Sequence, residues 1–366
     1  MGALALRPAE TTATFTLPLG QHPGLRRRFM VVDEALRGNV RFGLLLEVLD
    51  KLAEEAALEY ARTAHRDARV VTAAVDGILV RNPVDLMRDV QFAARLNHVG
   101  RTSMEVGIRV TQPGDPPLHV ASCYFTMVAR LGFGDDAKSL PLPPLEYLED
   151  LERRRAHRAV ERREEYRRHV AAAQEPPTRE EFELLASLHA QQEETSFRGP
   201  LVGRLAVENW ERMYPEQENV PQKIFGGYLM RRAYELATIC AELVAPDRPV
   251  LAAVNRVNFL HPVRLGDTLH FTDRVVYTSG NLVSVEASIE RRSRDRSVRA
   301  LSNSCLFTFV NMDREMVPRP TQTVYPTTYS EDARLLEARR HHAELSRHIA
   351  KGWIAGRGGT GQGDGT

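Results

Sequence analysis

The feature that most constrains the fold of this chain is an internal repeat. The tripeptide Ala-Val-Asp at positions 74–76 returns as Ala-Val-Asn at positions 253–255. The pentapeptide Ser-Cys-Tyr-Phe-Thr at positions 122–126 returns as Ser-Cys-Leu-Phe-Thr at positions 304–308. Because separate blocks keep their order and nearly their spacing, the sequence is a duplication, and both copies should adopt the same supersecondary unit.

Each copy opens with a glycine turn and an apolar helix. In copy one, at positions 38–58, apolar side chains recur at the spacing of a helix with one broad buried face. Copy two repeats this layout at positions 224–244, where Gly227 takes the place of Gly43. Asp50 falls in the middle of the first pattern, where a carboxylate is expensive to bury. It is therefore a candidate for a functional residue.

Four strand-like runs follow the first helix, and turn signals separate them. They are rich in Val, Ile and Phe, and they cover positions 69–80, 89–96, 102–110 and 118–129. One long helix followed by an antiparallel sheet, twice in one chain, predicts an α+β protein with two tandem domains. Each sheet should envelop its own helix, and the two domains should pack as an intramolecular pseudo-dimer that buries the sheet edges.

Composition excludes several classes of protein. The 366 residues suit two domains, and the net charge of +1 argues against a protein that coats nucleic acid. The three cysteines lie in apolar runs, which favours buried thiols over disulfides or a metal cluster. No apolar run approaches the roughly 18–20 residues of a membrane span. The segment at positions 1–28 contains four arginines and a single acid, Glu10, so it resembles a weak transit peptide, although a disordered leader fits equally well.

The region between the copies has a different composition. Positions 145–174 predict a helix that is rich in both Arg and Glu, and Pro176-Pro177 ends it. An RNA-binding helix is one interpretation, but the interspersed acids favour a solvated, ion-paired linker. The predicted boundaries are a leader at 1–27, a first domain at 28–134, a charged helical linker at 135–198, a second domain at 199–325, and a C-terminal helix with a disordered glycine-rich tail at 326–366.

Two segments of copy two resemble a known family. The sequence IFGGYLMRRAYELA at positions 224–237 and NFLHPVRLGD at positions 258–267 resemble double-hotdog acyl-coenzyme A thioesterases. In copy one, VRFG at positions 40–43 and the helix after it are similar to the acyl-coenzyme A thioesterase 9 group. The resemblance implies two hotdog domains that hydrolyse fatty acyl-coenzyme A to free acid and coenzyme A, without a metal or cofactor. It also implies a trimer in the mitochondrial matrix, with a cytoplasmic location left open.

The resemblance further implies a catalytic pair shared between the copies. In that pattern an Asn lies eight residues before the second glycine of the turn in one copy, and an Asp lies seven residues after the corresponding glycine of the other copy. These positions hold Asn219 and Asp50. The complementary positions hold Ala35 and Tyr234, so the family pattern predicts one intact composite site and a second site that is inactive or regulatory.

Thioester hydrolysis suggests a role for each residue. Asp50 would activate water as a general base or attack the carbonyl itself, and Asn219 would orient the water or the carbonyl. The backbone N–H groups of Phe42 and Gly43, at a helix start, would polarise the carbonyl. The catalytic set is therefore Asp50, Asn219, Phe42 and Gly43.

Other interpretations stay open at this point. Asp50 could be a surface residue of an amphipathic helix, and Asn219 a turn residue before Pro221. Glu235, next to Tyr234, could be a second base, although a structural role suits its position better. The alternative function is a hotdog protein that binds acyl-coenzyme A without hydrolysing it.

Overall fold

Both copies contribute to one large antiparallel sheet. The structure, a computed structural model, describes residues 6–34, 36–132, 136–172, 175–220, 223–224, 226–255 and 257–349. Its helices are α1 Pro23–Arg28, α2 Phe42–Ala64, α3 Asp150–Ala172, α4 Arg179–Gln192, α5 Gly226–Glu242 and α6 Tyr329–Ile349. No helix in these ranges is both long and apolar enough to span a membrane.

The strands follow the two copies in order. They are β1 Ala13–Leu17, β2 Ala68–Val80, β3 Val90–Val99, β4 Ser103–Gln112, β5 Leu118–Leu131, β6 Lys138–Ser139, β7 Ala206–Arg212, β8 Glu218–Val220, β9 Lys223–Ile224, β10 Pro249–Val254, β11 Val257–Phe259, β12 Thr268–Ser279, β13 Leu282–Arg292 and β14 Arg299–Asn311. The main path of the sheet is β1-β3-β4-β5-β2-β10-β14-β13-β12-β7, and within the described ranges β8 pairs only with β9.

Each copy wraps its sheet around one apolar helix, as the sequence predicts. Helix α2 packs against β2, β3, β4 and β5, and α5 packs against β7, β12 and β13. Leu45, Leu49 and Ala53, spaced at one helical turn, are at most 1% exposed and form the buried side of α2. The predicted class, an α+β protein with two tandem helix-and-sheet domains, is confirmed.

The two domains join along one strand and one helix pair. Strand β2 of the first copy pairs with β10 and β11 of the second, with Leu79 opposite Ala253 and Val75 opposite Val257. Helices α2 and α5 also contact each other. The start of α5 lies beside the middle of α2, and the start of α2 lies beside the middle of α5, so the two helices run antiparallel. This arrangement is the pseudo-two-fold pair that the repeat predicts.

The segment assigned to the leader is structured where it is described. Strand β1 pairs with β3, with Phe15 opposite Phe92, and Leu19 is fully buried. The expectation of a disordered leader is therefore wrong for positions 6–28. The physical reason is that β1 covers the edge of β3, whose backbone groups would otherwise lack partners. After α1, Met30 forms a single bridge with Val40.

The linker forms two helices that dock onto the domains. On α3, Arg162 donates hydrogen bonds to Glu105 of β4, which is 8% exposed, and stacks over the ring of Tyr124. On α4, Glu181 accepts from Arg340 of α6 at 2.7 and 2.8 Å. Ion pairs therefore attach the charged linker to the protein surface. The domain boundaries stay predictions, and the glycine-rich tail lies outside the described residues.

One buried carboxylate distinguishes the second domain from the first. Asp273 on β12 lies opposite Ala287, which lies opposite Cys305. The equivalent cross-strand neighbours in the first domain are Ala94, Ile108 and Cys123. Asp273 therefore lies where the first domain has an alanine. Its side chain is fully buried, and neither oxygen has a hydrogen-bond partner among the described residues. Burial raises the pKa of Asp273 well above its usual value.

We predict that Asp273→Ala stabilises the protein by about 1–3 kcal/mol, because it removes a buried polar group without a partner among the described residues. A raised folded-state pKa means that the native protein binds more protons than the unfolded chain, so wild-type stability falls as the pH rises above about 4. The gain should therefore be larger at pH 8 than at pH 4.5 in urea unfolding. Asp67→Ala, at an exposed aspartate, is the control and should change stability by less than about 0.5 kcal/mol. A loss of stability in Asp273→Ala at both pH values would contradict this account.

Candidate active site

Asp50 lies at the interface between the two domains. It projects from the middle of α2 towards the start of α5 and is only 2% exposed. The backbone N–H of Gly227 donates a hydrogen bond of 2.7 Å to its Oδ2. The hydroxyl of Thr72, on β2, donates a hydrogen bond of 2.7 Å to its Oδ1. Both oxygens are thus fixed by donors from two different elements, one of them in the other copy.

Burial gives this carboxyl an unusual acidity. It raises the pKa of Asp50 to about 6, while the hydrogen bonds from Thr72 and Gly227 act in the opposite direction. A carboxyl with this pKa is mostly ionised at neutral pH and can still accept and return a proton at little cost. Such perturbed groups are concentrated at functional sites. Asp50 therefore combines fixed geometry with an acidity suited to proton transfer.

The start of α5 brings the backbone close to Asp50. A Cβ atom on Gly226 would lie 3.2 Å from Asp50 Oδ2 and 3.2 Å from the ring of Phe259, which is closer than most side chains tolerate. Glycine permits this approach. The first N–H groups of a helix have no partner within the helix and carry a partial positive charge. The carboxylate thus lies beside a cluster of backbone donors.

Asn219 belongs to the short strand β8, which pairs with β9 directly before α5. Its side chain lies outside the described part of the structure, so its distance from Asp50 is not defined. The backbone course brings the residue into the hairpin that leads to Gly226 and Gly227. The pairing of Asn219 with Asp50 therefore stays a prediction.

Phe42 and Gly43 do not lie beside Asp50, and this part of the predicted set is corrected. All three belong to α2, and Gly43 is about 10 Å from Asp50 at about 1.5 Å per residue. A Cβ on Gly43 would instead lie 3.1 Å from Tyr234 and 2.8 Å from the side chain of Arg231. The physical reason is the antiparallel packing of α2 and α5, which presents each helix start to the middle of the opposite helix. The helix start beside Asp50 is that of α5.

The second pseudo-site has a tyrosine at the position where the first has the Asp50 carboxylate. Tyr234 occupies the position equivalent to Asp50, is 6% exposed, and packs against the rings of Phe42 and Phe307. Glu235, the possible second base, forms ion pairs with Arg41 at 2.7 Å and Arg232 at 2.8 Å. It is therefore engaged in a structural network at the domain interface. Ala35 lies outside the described residues.

Thr72 was absent from the predicted set, and the predicted helix start was the wrong one. When the Ala-Val blocks of the two copies are aligned, Thr72 matches Leu251, so a hydroxyl in one copy replaces a leucine in the other. The sequence alone could have drawn attention to Thr72. It differs from its counterpart, Leu251, in the same way that Asp50 differs from Tyr234, because copy one has the more polar residue at both positions. Gly226 and Gly227 were recognisable as helix-opening glycines. If Asp50 had been placed beside the glycine turn of the other copy, Gly226 and Gly227 would have been predicted as its neighbours.

Other nucleophiles and metals find no support in the described residues. They contain no cluster of His, Cys, Asp or Glu side chains that could hold a metal ion. Burial raises the pKa of Cys240 to about 12 and also raises the pKa values of Cys123 and Cys305. These thiols therefore stay protonated and are poor nucleophiles. Among the described residues of this site, Asp50 is therefore the candidate for the chemistry.

Comparison with known proteins identifies the same unit in both copies. The profile of the thioesterase superfamily matches residues 48–118 and 222–297, once in each copy. Human acyl-coenzyme A thioesterase 9, mitochondrial, is 30% identical over 90% of this chain and 76% of its own length. Bovine acyl-coenzyme A thioesterase 9, mitochondrial, is 29% identical over 91% of this chain and 77% of its own. Acyl-coenzyme A thioesterase 4, mitochondrial, of Humulus lupulus is 30% identical over 81% of this chain and 60% of its own.

Solved structures of acyl-CoA hydrolases resemble about half of the chain. The acyl-CoA hydrolase of Staphylococcus aureus in complex with butyryl coenzyme A is 26% identical, with a TM-score of 0.39, and covers 42% of this chain and 94% of its own. An acyl-CoA hydrolase of Bacillus cereus is 25% identical, with a TM-score of 0.39, and covers 42% and 93%.

Proposed function

This chain belongs to the acyl-coenzyme A thioesterase family, and we propose that it hydrolyses acyl-coenzyme A to a free fatty acid and coenzyme A. The reaction takes place at one composite site between the two hotdog domains. The observation that carries the assignment of the site is the buried carboxylate of Asp50, held by Thr72 of its own copy and by the Gly227 N–H of the other copy.

In this mechanism Asp50 is the base. Its carboxylate takes a proton from a water molecule, whose oxygen attacks the thioester carbonyl carbon and gives a tetrahedral oxyanion. The oxyanion collapses, the carbon–sulfur bond breaks, and the thiolate of coenzyme A recovers the proton from Asp50. The alternative is direct attack by Asp50, which gives an acyl anhydride that water then hydrolyses. The hydrogen bonds to both oxygens hold the carboxylate in place for either role, and we favour the general base.

The oxyanion would be stabilised by the start of α5. The Gly227 N–H already positions Asp50, so the neighbouring amides of this first turn supply the donors. Preorganised donors of this kind are worth roughly 3–4 kcal/mol each in transition-state stabilisation. Phe42 and Gly43 have no part in this site. Asn219, in the hairpin that precedes α5, orients the attacking water or the carbonyl through its amide.

The second pseudo-site is not a site of hydrolysis. Tyr234 and Leu251 stand at the positions of Asp50 and Thr72, so neither a base nor the hydroxyl that holds it is available there. Burial raises the pKa of Tyr234 to about 12, and a phenol that stays neutral is no substitute for a carboxylate. Each chain should therefore contain a single site of hydrolysis.

Assembly and compartment follow the family in this proposal. The chain forms a homotrimer, as the family resemblance implies, and each outermost strand of the sheet carries one large side chain that a neighbouring chain would cover. Phe15 on β1 is 43% exposed, and Trp210 on β7 is 46% exposed. The two mammalian relatives compared above carry the word mitochondrial in their names, and we propose the mitochondrial matrix for this chain rather than the cytoplasm.

The first test is steady-state hydrolysis of an acyl-coenzyme A chain-length series. We predict that Asp50→Asn lowers kcat by roughly 10²–10⁴-fold, because the general base is lost. Asn219→Ala should lower kcat as well, whereas Glu55→Gln, an exposed acid of the same helix, should leave it unchanged. Binding of substrate without turnover by the wild type would instead identify a non-catalytic acyl-coenzyme A-binding protein.

A control on folding accompanies this comparison. Asp50→Asn should be at least as stable as the wild type above pH 6. The folded-state pKa of Asp50 is raised to about 6, so wild-type stability declines as the pH rises from about 4 to 6. A variant that is inactive and also unfolded would say nothing about catalysis, and thermal unfolding distinguishes the two cases.

The pH dependence of kcat/KM tests whether Asp50 must be ionised for activity. Activity should rise with pH through an apparent pKa of about 6, because Asp50 must be ionised to act as a base. Thr72→Val removes a hydrogen bond that lowers this pKa, so the rise should shift to higher pH. Thr63→Val, at a hydroxyl near the end of α2, should leave the profile in place. A midpoint unmoved by Thr72→Val would contradict the assignment.

The oligomeric state is measured by light scattering on a sizing column. We predict a particle with three times the 41.2 kDa mass of one chain. Trp210→Glu should shift the equilibrium towards smaller species, since it introduces a charge on the exposed face of β7, while Trp210→Phe should not. A mass of one chain at micromolar concentration would rule out the trimer.

A further inference from the structure

A cavity of about 670 Å³ lies at the second pseudo-site. Its walls include Tyr234, Leu251 and Val80, which are the counterparts of Asp50, Thr72 and Phe259 at the intact site. The volume falls within the range of sites that bind small molecules. The second pseudo-site has therefore lost the residues for hydrolysis but has kept a space large enough for a ligand.

The wall of this cavity suits an aliphatic chain. Phe42, Val80 and Val84 are each at most 3% exposed and present apolar surface alongside Tyr234 and Leu251. Two further apolar side chains that line it, Val31 and Val32, are 60% and 45% exposed. An exposed apolar pair continuous with a buried apolar wall offers an entry path for a hydrocarbon.

Arg248, which also lines the cavity, has unused hydrogen-bonding capacity. Its Nη2 contacts the carbonyl oxygen of Asp313 at 3.4 Å and the sulfur of Met316 at 3.2 Å. Its Nε and Nη1 are buried and have no partner among the described residues. Burial and the nearby positive charge of Arg314 lower the pKa of Arg248. A half-buried guanidinium with unfilled donors is a favourable partner for a carboxylate.

The other charges around the cavity disfavour a polyanion. Arg314 pairs with Glu34 at 2.5 Å, and Arg319 pairs with Asp313 at 2.6 Å, so both are already neutralised. Glu242, Asp247 and Glu315 add further negative charge to the lining. The phosphates of a nucleotide would meet this acidic lining, whereas a single carboxylate can bind Arg248 alone.

From these features we propose that the cavity binds a free long-chain carboxylic acid, with its chain along Phe42 and Leu251 and its carboxylate on Arg248. Such an acid is also the product of the proposed reaction, and the second site would then sense that product. Binding itself does not require Asp50 to be catalytic.

The test is calorimetric titration of dodecanoate into the full chain whose hydrolytic site is saturated with a non-hydrolysable dodecyl-coenzyme A thioether. We expect saturable binding of one dodecanoate per chain. Arg248→Gln should weaken it at least tenfold, and Leu251→Trp should abolish it by filling the cavity. Arg319→Gln, at a guanidinium already paired with Asp313, is the matched control and should change the affinity less than threefold.

Several results would overturn the proposal. They are an absence of saturable binding in the wild type, an affinity unaffected by Arg248→Gln, or displacement of dodecanoate by added coenzyme A, which would indicate a nucleotide site. If Leu251→Trp does not fold, Val84→Phe is the second cavity-filling variant. Hydrolysis measured on the same preparations separates the two hypotheses, because acyl-coenzyme A turnover without dodecanoate binding refutes only the second site.

Discussion

The hydrogen bond from the Gly227 N–H to the Asp50 carboxylate joins the two halves of the chain at the candidate active site. The donor belongs to the first turn of one helix, and the acceptor belongs to the middle of the other. The contact forms only if the two helices run antiparallel and the two sheets meet along β2 and β10. The architecture of the whole protein therefore determines the position of a single carboxylate.

Two buried aspartates show how differently this fold treats a carboxylate. Asp50 receives two hydrogen bonds, and its pKa settles at about 6. Asp273 receives none from the described residues, and burial alone raises its pKa far above the usual range. The comparison separates the effect of burial on the pKa from the effect of hydrogen bonds. Both side chains are almost completely shielded from water, and they differ in their hydrogen-bond donors. The two donors keep Asp50 ionised at neutral pH.

Much of the fold could be predicted from the sequence, because the pattern of one helix followed by strands occurs in both copies. Blocks at nearly constant offsets defined two equal units, and the helical spacing around Asp50 identified a buried carboxylate. The helix start beside Asp50 could not be assigned in the same way. Periodicity within one copy places Gly43 and Asp50 on one side of α2, but it contains no information on how α2 packs against α5.

Two further features depended on contacts between distant segments. Strand β1, Ala-Thr-Phe-Thr-Leu, alternates apolar and polar residues, but its partner, β3, lies beyond the whole of α2 and β2 in the chain, so the local sequence could not identify that partner. Thr72 acquires its role only because β2 passes beside α2. The side chain of Asn219 lies outside the described residues, and its role still depends on resemblance.

The fusion of the two copies into one chain has an evolutionary consequence. In a symmetric homodimer every substitution appears in both sites, so a residue needed for catalysis cannot change in one site alone. A tandem chain is free of this restriction, because each half mutates independently. In the proposed mechanism, a tyrosine and a leucine at the positions of Asp50 and Thr72 would leave both sites of a homodimer without a base, whereas here Tyr234 and Leu251 affect one site. Covalent linkage thus allows the residues at one of two equivalent interfaces to change while those at the other stay the same.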